Sequence, residues 1–492
     1  MFESAQLGRK VDREAFAQRE PELREALLDA QLRLATAGFS VVIVVAGAEG
    51  AGKGETVNLL LNWLDARGIE THALGAPSEE ELERPEYYRF WRRLPGRGRI
   101  GIFFGSWYTR PISQHSLGNL DEAGLEDGLR RIVDFERMLE DEGVLLVKVW
   151  LHITKDQQAK RFKKLAKNPD TAWRVTKMDW RFHKTYDQFV NSASRAIRRT
   201  SSGRSPWHVI EAWDARYRHL TVAETLLAAI EQRLAAPAAP EASAAPPIPA
   251  PIVPNVISSL DLTQSVTVAE YRKELVRRQL AIGRMARELQ DRKRSAVLVF
   301  EGSDAAGKGG AIRRVTQALD ARFYQVVQIA APSDEERARP YLWRFWRNLP
   351  RWGHFTIFDR SWYGRVLVER LEGLCPPADW QRAYGEINAF EEQLVLSGST
   401  VLKFWLTTSK DEQLRRFQER EAMGFKRYKI TEEDWRNREK WDAYEAAACD
   451  MVERTSSELA PWTLVEAEDK YYARLKVLRT VEEGLARALD RK

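Results

Sequence analysis

The sequence predicts an α/β protein made of two tandem homologous three-layer α/β/α domains, each with a parallel sheet. Three observations support this fold class. The same residue pattern occurs twice, an Ala/Pro-rich segment separates the two copies, and apolar strands alternate with helical stretches in each copy. Continuous apolar strands are typical of parallel sheets that are covered by helices on both faces.

The repeat is clearest in a segment rich in Trp, Phe and Arg. Residues 84–95 read RPEYYRFWRRLP and residues 339–350 read RPYLWRFWRNLP, so eight of twelve positions are identical at an offset of 255 residues (339 − 84). A period of this length indicates two homologous domains, because the repeats of a solenoid are only tens of residues long.

The segment between the copies predicts a linker. Residues 235–254 read AAPAAPEASAAPPIPAPIVP, a composition that builds no core and favours extended, semi-rigid chain. We therefore predict an N-terminal domain at 1–234, a linker at 235–254 and a C-terminal domain at 255–492.

Each copy has the same predicted order of elements. A helix comes first, a strand and a glycine-rich loop follow, and the loop leads into a second helix before the next two strands. The predicted strands are Val41–Val45, Ile102–Phe104 and Val144–Leu151 in the first copy, and Val297–Phe300, Phe355–Phe358 and Val401–Leu406 in the second.

Composition narrows the function classes. The net charge of +6 and the sequence pI of about 9.1 suit an anionic partner such as a phosphorylated metabolite, an inorganic polyanion or nucleic acid. No run of eighteen apolar residues occurs, so we expect no membrane partner. Cys375 and Cys449 are the only cysteines, which excludes a disulfide framework and, with a polar N-terminus, predicts a cytoplasmic location.

The glycine-rich loop of the second copy carries the strongest chemical signal. It matches the Walker A pattern G-x-x-x-x-G-K, directly after a strand and before a helix, where backbone N–H groups wrap phosphate oxygens and the lysine neutralises their charge. The fold class is therefore predicted as two P-loop kinase-like domains with helical lids. The predicted phosphate-binding residues are Gly302, Ser303, Asp304, Ala305, Ala306, Gly307, Lys308 and Gly309.

The loop departs from the usual pattern at one position. Gly309 stands where a Ser or Thr normally ligates magnesium, although phosphoryl transfer still needs a metal to offset charge on the phosphates. Asp304 inside the loop and Asp359 at the end of the next apolar strand supply hard oxygen ligands. We predict that these two carboxylates hold Mg²⁺.

These motifs together resemble polyphosphate kinase family 2, in the fused form that acts as a polyphosphate:AMP phosphotransferase. The residues that carry the resemblance are the loop Gly-x-Asp-x-x-Gly-Lys-Gly, the segment 359–365 (DRSWYGR) and the basic segment 415–429. The resemblance implies transfer of a terminal phosphoryl group from inorganic polyphosphate to AMP, giving ADP, with Mg²⁺ as cofactor. It also implies that Asp304 and Asp359 hold magnesium, and that Lys308 and Arg360 contact the transferring phosphates.

The same resemblance places Arg416 and Arg420 in a mobile lid. Four residues apart, they share one face of a helix, and Lys426 and Lys429 follow beyond Gly424. Lid closure would bring these cations over a phosphate and exclude water. The glutamates among the arginines leave a solvated charged helix as the alternative.

The helix that opens the second copy predicts a track for the donor. Residues 271–294 contain nine Lys/Arg and three Asp/Glu, whereas the aligned residues 16–39 contain three Arg and four Asp/Glu. A polyanion favours the first of these surfaces, so Arg277 and Arg284 are predicted to contact polyphosphate. Drift on an exposed helix is the alternative explanation.

The first copy is predicted to be catalytically inactive. It keeps the lysine of the loop as Lys53, but Glu49 replaces Asp304, Phe104 replaces Asp359 and Gly105 replaces Arg360. An aromatic ring does not ligate Mg²⁺ and glycine does not neutralise a phosphate. We expect this copy to serve as a packing partner or scaffold.

Two other functions remain open from the sequence. An ATP-dependent nucleotide kinase would share the fold, the loop and the lid, and a non-catalytic polyanion or RNA binder would use the basic helix and some of the 17 Trp. The set Asp304, Lys308 and Asp359 argues against a mere binder, so nucleic acid is not expected as a partner. The oligomeric state is open, with a homo-oligomer as one alternative.

Overall fold

The structure is a computed structural model that describes residues 1–236, 255–422 and 432–490. The chain divides into two compact units. The first unit consists of Met1–Pro77, Arg89–Ala238 and Pro332–Trp343, and the second consists of Ser78–Tyr88, Ala239–Ala331 and Arg344–Lys492. Nearly all of the predicted linker 235–254 lies outside the described residues. The predicted domain boundaries at 234 and 255 stay a prediction.

The first copy contains five strands and the helices that cover them. The strands are β1 (Val41–Gly47), β2 (Ile69–Ala73), β3 (Ile100–Phe104), β4 (Leu145–His152) and β5 (Trp207–Glu211). The helices are α1 (Arg13–Leu34), α2 (Lys53–Trp63), α3 (Glu79–Leu82), α4 (Tyr88–Trp91), α5 (Thr109–Ser116), α6 (Glu122–Asp141), α7 (Lys155–Lys167), α8 (Lys177–Lys184), α9 (Tyr186–Thr200) and α10 (Ala215–Ala235).

The second copy repeats this order. Its strands are β6 (Ser295–Gly302), β7 (Tyr324–Gln328), β8 (Phe355–Asp359), β9 (Ser399–Thr407) and β10 (Trp462–Glu466). Its helices are α11 (Val268–Asp291), α12 (Lys308–Thr316), α13 (Asp334–Arg337), α14 (Trp343–Trp346), α15 (Val368–Leu371), α16 (Pro377–Leu396), α17 (Lys410–Ala422), α18 (Glu432–Glu439), α19 (Trp441–Thr455) and α20 (Lys470–Asp490).

Both sheets are parallel and have the same strand order. The order is β2-β3-β1-β4-β5 in the first sheet and β10-β9-β6-β8-β7 in the second, so the strand that precedes the glycine loop is central in each. Val41–Val45 and Ser295–Phe300 are buried throughout. In the first sheet α2 and α10 pack on the face that carries Val147 and Val149, while Glu136 of α6 pairs with Lys148 on the opposite face, which gives three layers. The predicted fold class is confirmed.

The structure adds two strands to the three that we predicted in each copy. These are the edge strands β2 and β5 in the first sheet and β7 and β10 in the second. Strand β7 reads YQVVQ and is largely exposed, so it lacks the continuous apolar run that marks a central strand. Polar edge strands give a weaker pattern, and for that reason sequence reasoning missed them.

Candidate active site

The second-copy loop begins at Gly302, where the chain leaves the central strand β6. Gly302 has φ of 141°, and a Cβ atom there would collide with the carbonyl oxygen of Leu406 on β9, so only glycine fits. Ala305 has φ of 62°, and Gly307 has φ of 103° as the residue that caps the N-terminus of α12. The loop therefore closes tightly and directs the N-terminal end of α12 toward the site.

Lys308 is the first residue of α12, and its side chain folds back across the loop. Its ammonium Nζ donates to the carbonyl oxygens of Gly302 at 2.6 Å and Ser303 at 3.3 Å. The ammonium group thus lies beside the N-terminal backbone N–H groups of α12, which are the groups that a helix leaves without an internal carbonyl partner. Together they form a site with positive potential for phosphate oxygens.

Asp359 ends β8, the strand next to β6 in the sheet. Phe300 of β6 lies opposite Asp359 in the strand register, so the carboxylate and the glycine loop leave the same edge of the sheet. Arg360 follows with φ of 62°, and its guanidinium lies 3.4 Å from Oδ1 of Asp304. The structure therefore brings the predicted residues of both motifs together at one edge.

Two side chains from α17 and α18 hold Asp304 in place. Asn437 of α18 donates from Nδ2 to Oδ2 of Asp304 at 2.8 Å, and Gln413 of α17 donates from Nε2 to its backbone oxygen at 3.1 Å. The Asp304 side chain is 12% exposed, so these contacts fix a nearly buried carboxylate. Sequence reasoning missed both residues, because their only signal was a polar side chain within a charged helical stretch.

Glu301 is a further acidic residue that sequence reasoning missed. It lies one residue before the loop and is buried, and its Oε1 accepts a hydrogen bond from Ser361 Oγ at 2.8 Å. Burial raises the pKa of Glu301, while Ser361 and the cations Lys308 and Arg360 act in the opposite direction. An acidic residue in an otherwise apolar strand end was the available signal, since the aligned residue of the first copy is Ala46.

Several of these groups line an open pocket of about 350 Å³. Its wall combines acidic and cationic side chains with a short apolar stretch: Glu301, Gly302, Asp304, Lys308, Arg360, Gly364, Leu367, Val368 and Tyr444. A second open pocket of about 400 Å³ also borders Asp304 and is lined by Asn437 and by the aromatic residues Trp405, Trp441 and Tyr444. The arrangement suits an anionic group held between cations, with apolar surface nearby.

The carboxylates fit the way proteins hold Mg²⁺. Among the described residues there is no group of three or more His, Cys, Asp or Glu side chains that would form a complete metal cage. Magnesium is commonly bound by one or two carboxylates together with substrate phosphates and water. Asp304 and Asp359 at adjoining strand ends match that pattern, and their roles as ligands stay a prediction.

A buried network anchors the turn that follows Asp359 and Arg360. Glu391 of α16 accepts hydrogen bonds from Trp362 Nε1 at 3.0 Å and from Tyr363 Oη at 2.7 Å. Lys403 of β9 pairs with Glu391 at 2.7 Å and is wholly buried. Burial raises the pKa of Glu391, and the neighbouring Lys403 ammonium counteracts that rise. The network ties this turn to the core.

The arginines predicted to belong to a lid, Arg416 and Arg420, lie beside the loop. The Arg416 guanidinium donates to the backbone oxygens of Ala305, Ala467 and Glu468 and pairs with Glu412, so in this structure it braces the loop against the end of β10. Arg420 is half-buried near Asp304, and burial lowers the pKa of its guanidinium. Lys426 and Lys429 lie outside the described residues.

The predicted donor track runs along α11. Arg277 pairs with Glu274 at 3.0 Å and with Glu482 at 3.4 Å, so part of its charge is neutralised within the fold. Arg284 is exposed, and its Nε donates to the carbonyl oxygen of Leu280. Their contact with polyphosphate stays a prediction.

The first-copy loop has the same shape and a different environment. Lys53 pairs with Glu49 at 3.1 Å, so the loop itself supplies the counter-charge of its lysine. The half-buried Phe104 ends β3, where the second copy has Asp359. Arg218 is fully buried behind the loop and donates to the backbone oxygen of Ala51, whereas the aligned residue of the second copy is Ala473.

Comparison with known proteins shows the family to which the chain belongs. The two five-stranded parallel sheets covered by helices define an α/β protein with a duplicated domain. The chain matches the family Polyphosphate kinase 2 over residues 10–237 and 265–492, and it belongs to that family. Each copy matches separately, which confirms the tandem duplication.

Curated relatives and a solved structure match nearly the whole chain. The polyphosphate:AMP phosphotransferase of Pseudomonas aeruginosa is 53% identical over 494 residues, covering 99% of both chains. The enzyme of the same name from Pseudomonas syringae pv. tomato is 50% identical over 495 residues, covering 100% of this chain and 99% of its own. A crystal structure of a polyphosphate kinase 2 protein from Pseudomonas aeruginosa superposes with a TM-score of 0.89 at 51% identity, covering 99% of both chains.

One copy also matches shorter relatives. The NDP-polyphosphate phosphotransferase 3 of Ruegeria pomeroyi is 36% identical over 220 residues, covering 45% of this chain and 73% of its own.

In the part of the chain that the structure describes, no helix is long and apolar enough to cross a bilayer.

Proposed function

We propose that the second copy transfers the terminal phosphoryl group of inorganic polyphosphate to AMP, giving ADP. The observation that carries this proposal is the convergence of Asp304, Lys308, Asp359 and Arg360 at one edge of the second sheet. The names of the full-length relatives supply the donor and the acceptor.

In the proposed reaction, an oxygen of the AMP phosphate attacks the terminal phosphorus of the polyphosphate chain. The bond from that phosphorus to the bridging oxygen breaks, and a chain one phosphate shorter leaves with the electron pair. Catalysis of such a transfer depends almost entirely on positioning and on electrostatic stabilisation. Lys308, Arg360 and the N-terminal end of α12 would neutralise the charge on the phosphate oxygens.

The metal requirement belongs to the same proposal. Mg²⁺, held by Asp304 and Asp359, would offset negative charge on the phosphates when bound. Glu301 would keep Ser361, and with it the turn that carries Arg360, in position through the buried hydrogen bond at 2.8 Å. Arg416 would hold the loop, and Arg420 would approach the phosphates from α17.

We further propose that the first copy does not catalyse transfer. Glu49 neutralises Lys53, and Phe104 and Gly105 supply neither a metal ligand nor a cation. A cytoplasmic location is part of the same proposal and rests on the two cysteines, neither of which forms a disulfide.

A donor-exchange assay tests the proposed function. The full chain is incubated with AMP and Mg²⁺, together with either long-chain polyphosphate or ATP, and ADP and shortened polyphosphate are measured. Formation of ADP from polyphosphate without ATP is expected. ADP formed only with ATP would identify a nucleotide kinase, and no ADP with either donor would identify a binder.

A further inference from the structure

The first copy presents a dense set of exposed cations on α7, α8 and the segment between them. We call this set the basic surface, and all its members are exposed: Lys160, Lys163, Lys164, Lys167, Arg174, Lys177, Arg181 and Lys184. On α7 they are spaced three and four residues apart, as are those on α8, so each helix presents them along one side. The surface belongs wholly to the first unit.

The cations of the basic surface have no acidic partners. Within the described residues, none of the eight has a carboxylate oxygen within the 4.0 Å of an ion pair, whereas Lys155 on the same helix pairs with Asp187. Arg161 turns inward instead and donates to the backbone oxygens of Gly50 and Trp213. The cations that support the fold are therefore distinct from those of the basic surface.

The second copy lacks this charge at five of the eight aligned positions, while Lys160, Arg174 and Arg181 align with Arg415, Lys429 and Arg436. Residues 155–184 contain ten Lys/Arg and three Asp/Glu, a net of +7, whereas residues 410–439 contain nine and eight, a net of +1. Lys163, Lys164, Lys167, Lys177 and Lys184 align, in that order, with Gln418, Glu419, Ala422, Glu432 and Glu439. Like charges four residues apart destabilise a helix, so folding does not explain the lysines of α7.

We propose that the basic surface is a non-catalytic docking site for long-chain inorganic polyphosphate. This inference rests on the proposed function for the identity of the donor. Such a chain carries roughly one negative charge per phosphate, and release of its counterions favours binding to a row of unpaired lysines. A chain bound to one copy is presented to the other copy of the same polypeptide at high effective concentration.

The side chains of the basic surface favour a polyanion that carries no nucleobases. Its one strongly exposed aromatic residue is Trp173, which is 73% exposed and has the Arg174 guanidinium 5.3 Å from its ring centroid. Trp180 packs edge-on against Phe162. Sites for single-stranded RNA combine cations with aromatic residues on which successive bases stack. Here the cations are many and such a stacking series is absent from the described residues.

The test compares donors of two lengths in the full chain. The variant replaces Lys160, Lys163, Lys164 and Lys167 with Gln, and the control variant replaces the exposed Lys10, Arg13, Arg24 and Arg198 of the same copy with Gln. We expect the first variant to raise KM for a donor of several hundred phosphates about tenfold or more, because the second contact is lost. A donor of about six phosphates carries few charges and gains little from a second contact, so its KM should stay nearly unchanged.

Direct binding gives a readout that is independent of turnover. Labelled long-chain polyphosphate is titrated with each variant without AMP, at several salt concentrations. Removal of four phosphate contacts should lower the salt slope by about 3, while the control variant behaves as the unmodified chain. Trp173→Ala should leave this binding unchanged.

Three results would overturn the inference. They are an unchanged KM and salt slope in the α7 variant, an equal rise of KM for both donor lengths, and tighter binding of single-stranded RNA than of polyphosphate with loss of that binding in Trp173→Ala. Failure of the proposed function would give a different result, because the unmodified chain would then form no ADP from polyphosphate of either length.

Discussion

The side-chain amide of Asn437 donates a hydrogen bond to Oδ2 of Asp304 at 2.8 Å, which links helix α18 directly to the loop carboxylate. The first copy has Phe182 at the aligned position and Glu49 in its loop. The polar partner is therefore present only in the copy whose loop carries the aspartate. This pairing makes Asn437 a positioning residue for the proposed magnesium ligand.

We expect Asn437→Ala to weaken the response to Mg²⁺. Residues that orient metal ligands typically contribute 10- to 100-fold, about 1–3 kcal/mol, to metal affinity or activity. The Mg²⁺ concentration for half-maximal rate should therefore rise by about that factor, and thermal unfolding should change little. Phe182→Ala is the matched control. An Mg²⁺ dependence equal to that of the unmodified chain would show that the hydrogen bond is incidental.

The carboxylates of Asp304 and Asp359 should act together on one magnesium ion. We expect Asp304→Asn and Asp359→Asn each to lower kcat by about 10²–10³ or more, as loss of a preorganised charge contact does. Because both would hold the same ion, the double variant should be little slower than either single variant. Rates are measured at saturating AMP and polyphosphate. Losses that add in log rate would contradict a shared magnesium ion.

The buried lysines of the two copies provide a test of positioning. Lys403 pairs with Glu391, and Lys148 pairs with Glu136 at the same distance of 2.7 Å. Removing either lysine leaves a buried carboxylate unpaired, which costs about 3–5 kcal/mol of folding free energy. We expect Lys403→Met and Lys148→Met to destabilise the protein to a similar degree.

Only the network of Lys403 and Glu391 adjoins the turn that carries Asp359 and Arg360. Lys403→Met should therefore lower kcat by about tenfold or more when assayed well below its unfolding temperature, because positioning errors slow phosphoryl transfer. Lys148→Met should leave kcat close to that of the unmodified chain. Equal kcat values in the two variants would show that the network supports the fold and does not position Asp359 and Arg360.

Much of this site can be predicted from the sequence, because each motif determines its own local structure. The loop motif fixes its own backbone through Gly302 and Gly307, and Asp359 is placed by the end of an apolar strand. Glu301 and Asn437 were not predicted, because their partners lie 60 and 133 residues away along the chain. Contacts of that kind depend on tertiary packing, which residue spacing does not encode.

The first copy also shows what the sequence alone does not predict. Its sequence indicates the loss of Asp359 and Arg360, but only the structure shows that a Cβ atom on Gly105 would collide with the carbonyl oxygen of Leu74. Restoring Phe104→Asp and Gly105→Arg should therefore fail to create a second active site. The structure also shows that Glu49 already neutralises Lys53.

His152 should make the stability of the first unit depend on pH. Its side chain is buried, and burial lowers its pKa to about 4 from the usual 6.5. The folded state thus binds a proton less readily than the unfolded state, so stability is full above pH 6.5 and is lost as pH falls toward 4. Urea unfolding of the full chain should show a midpoint that falls across this window.

The second copy supplies the control for this prediction, since Thr407 stands at the position aligned with His152. His152→Thr should flatten the pH dependence between 6.5 and 4, whatever its effect on stability at neutral pH. A midpoint that falls as steeply in His152→Thr as in the unmodified chain would assign the acid sensitivity to other groups.

The most direct test of catalytic inequality compares the two loop lysines. Lys308 and Lys53 occupy the same motif position, so a search by motif would treat both copies as active. With AMP, Mg²⁺ and polyphosphate, Lys308→Ala should lower kcat by about 10²–10³, because a preorganised cation at the phosphates is lost. Lys53→Ala should leave kcat close to that of the unmodified chain. A kcat halved by Lys53→Ala would show that both copies turn over and would contradict the account.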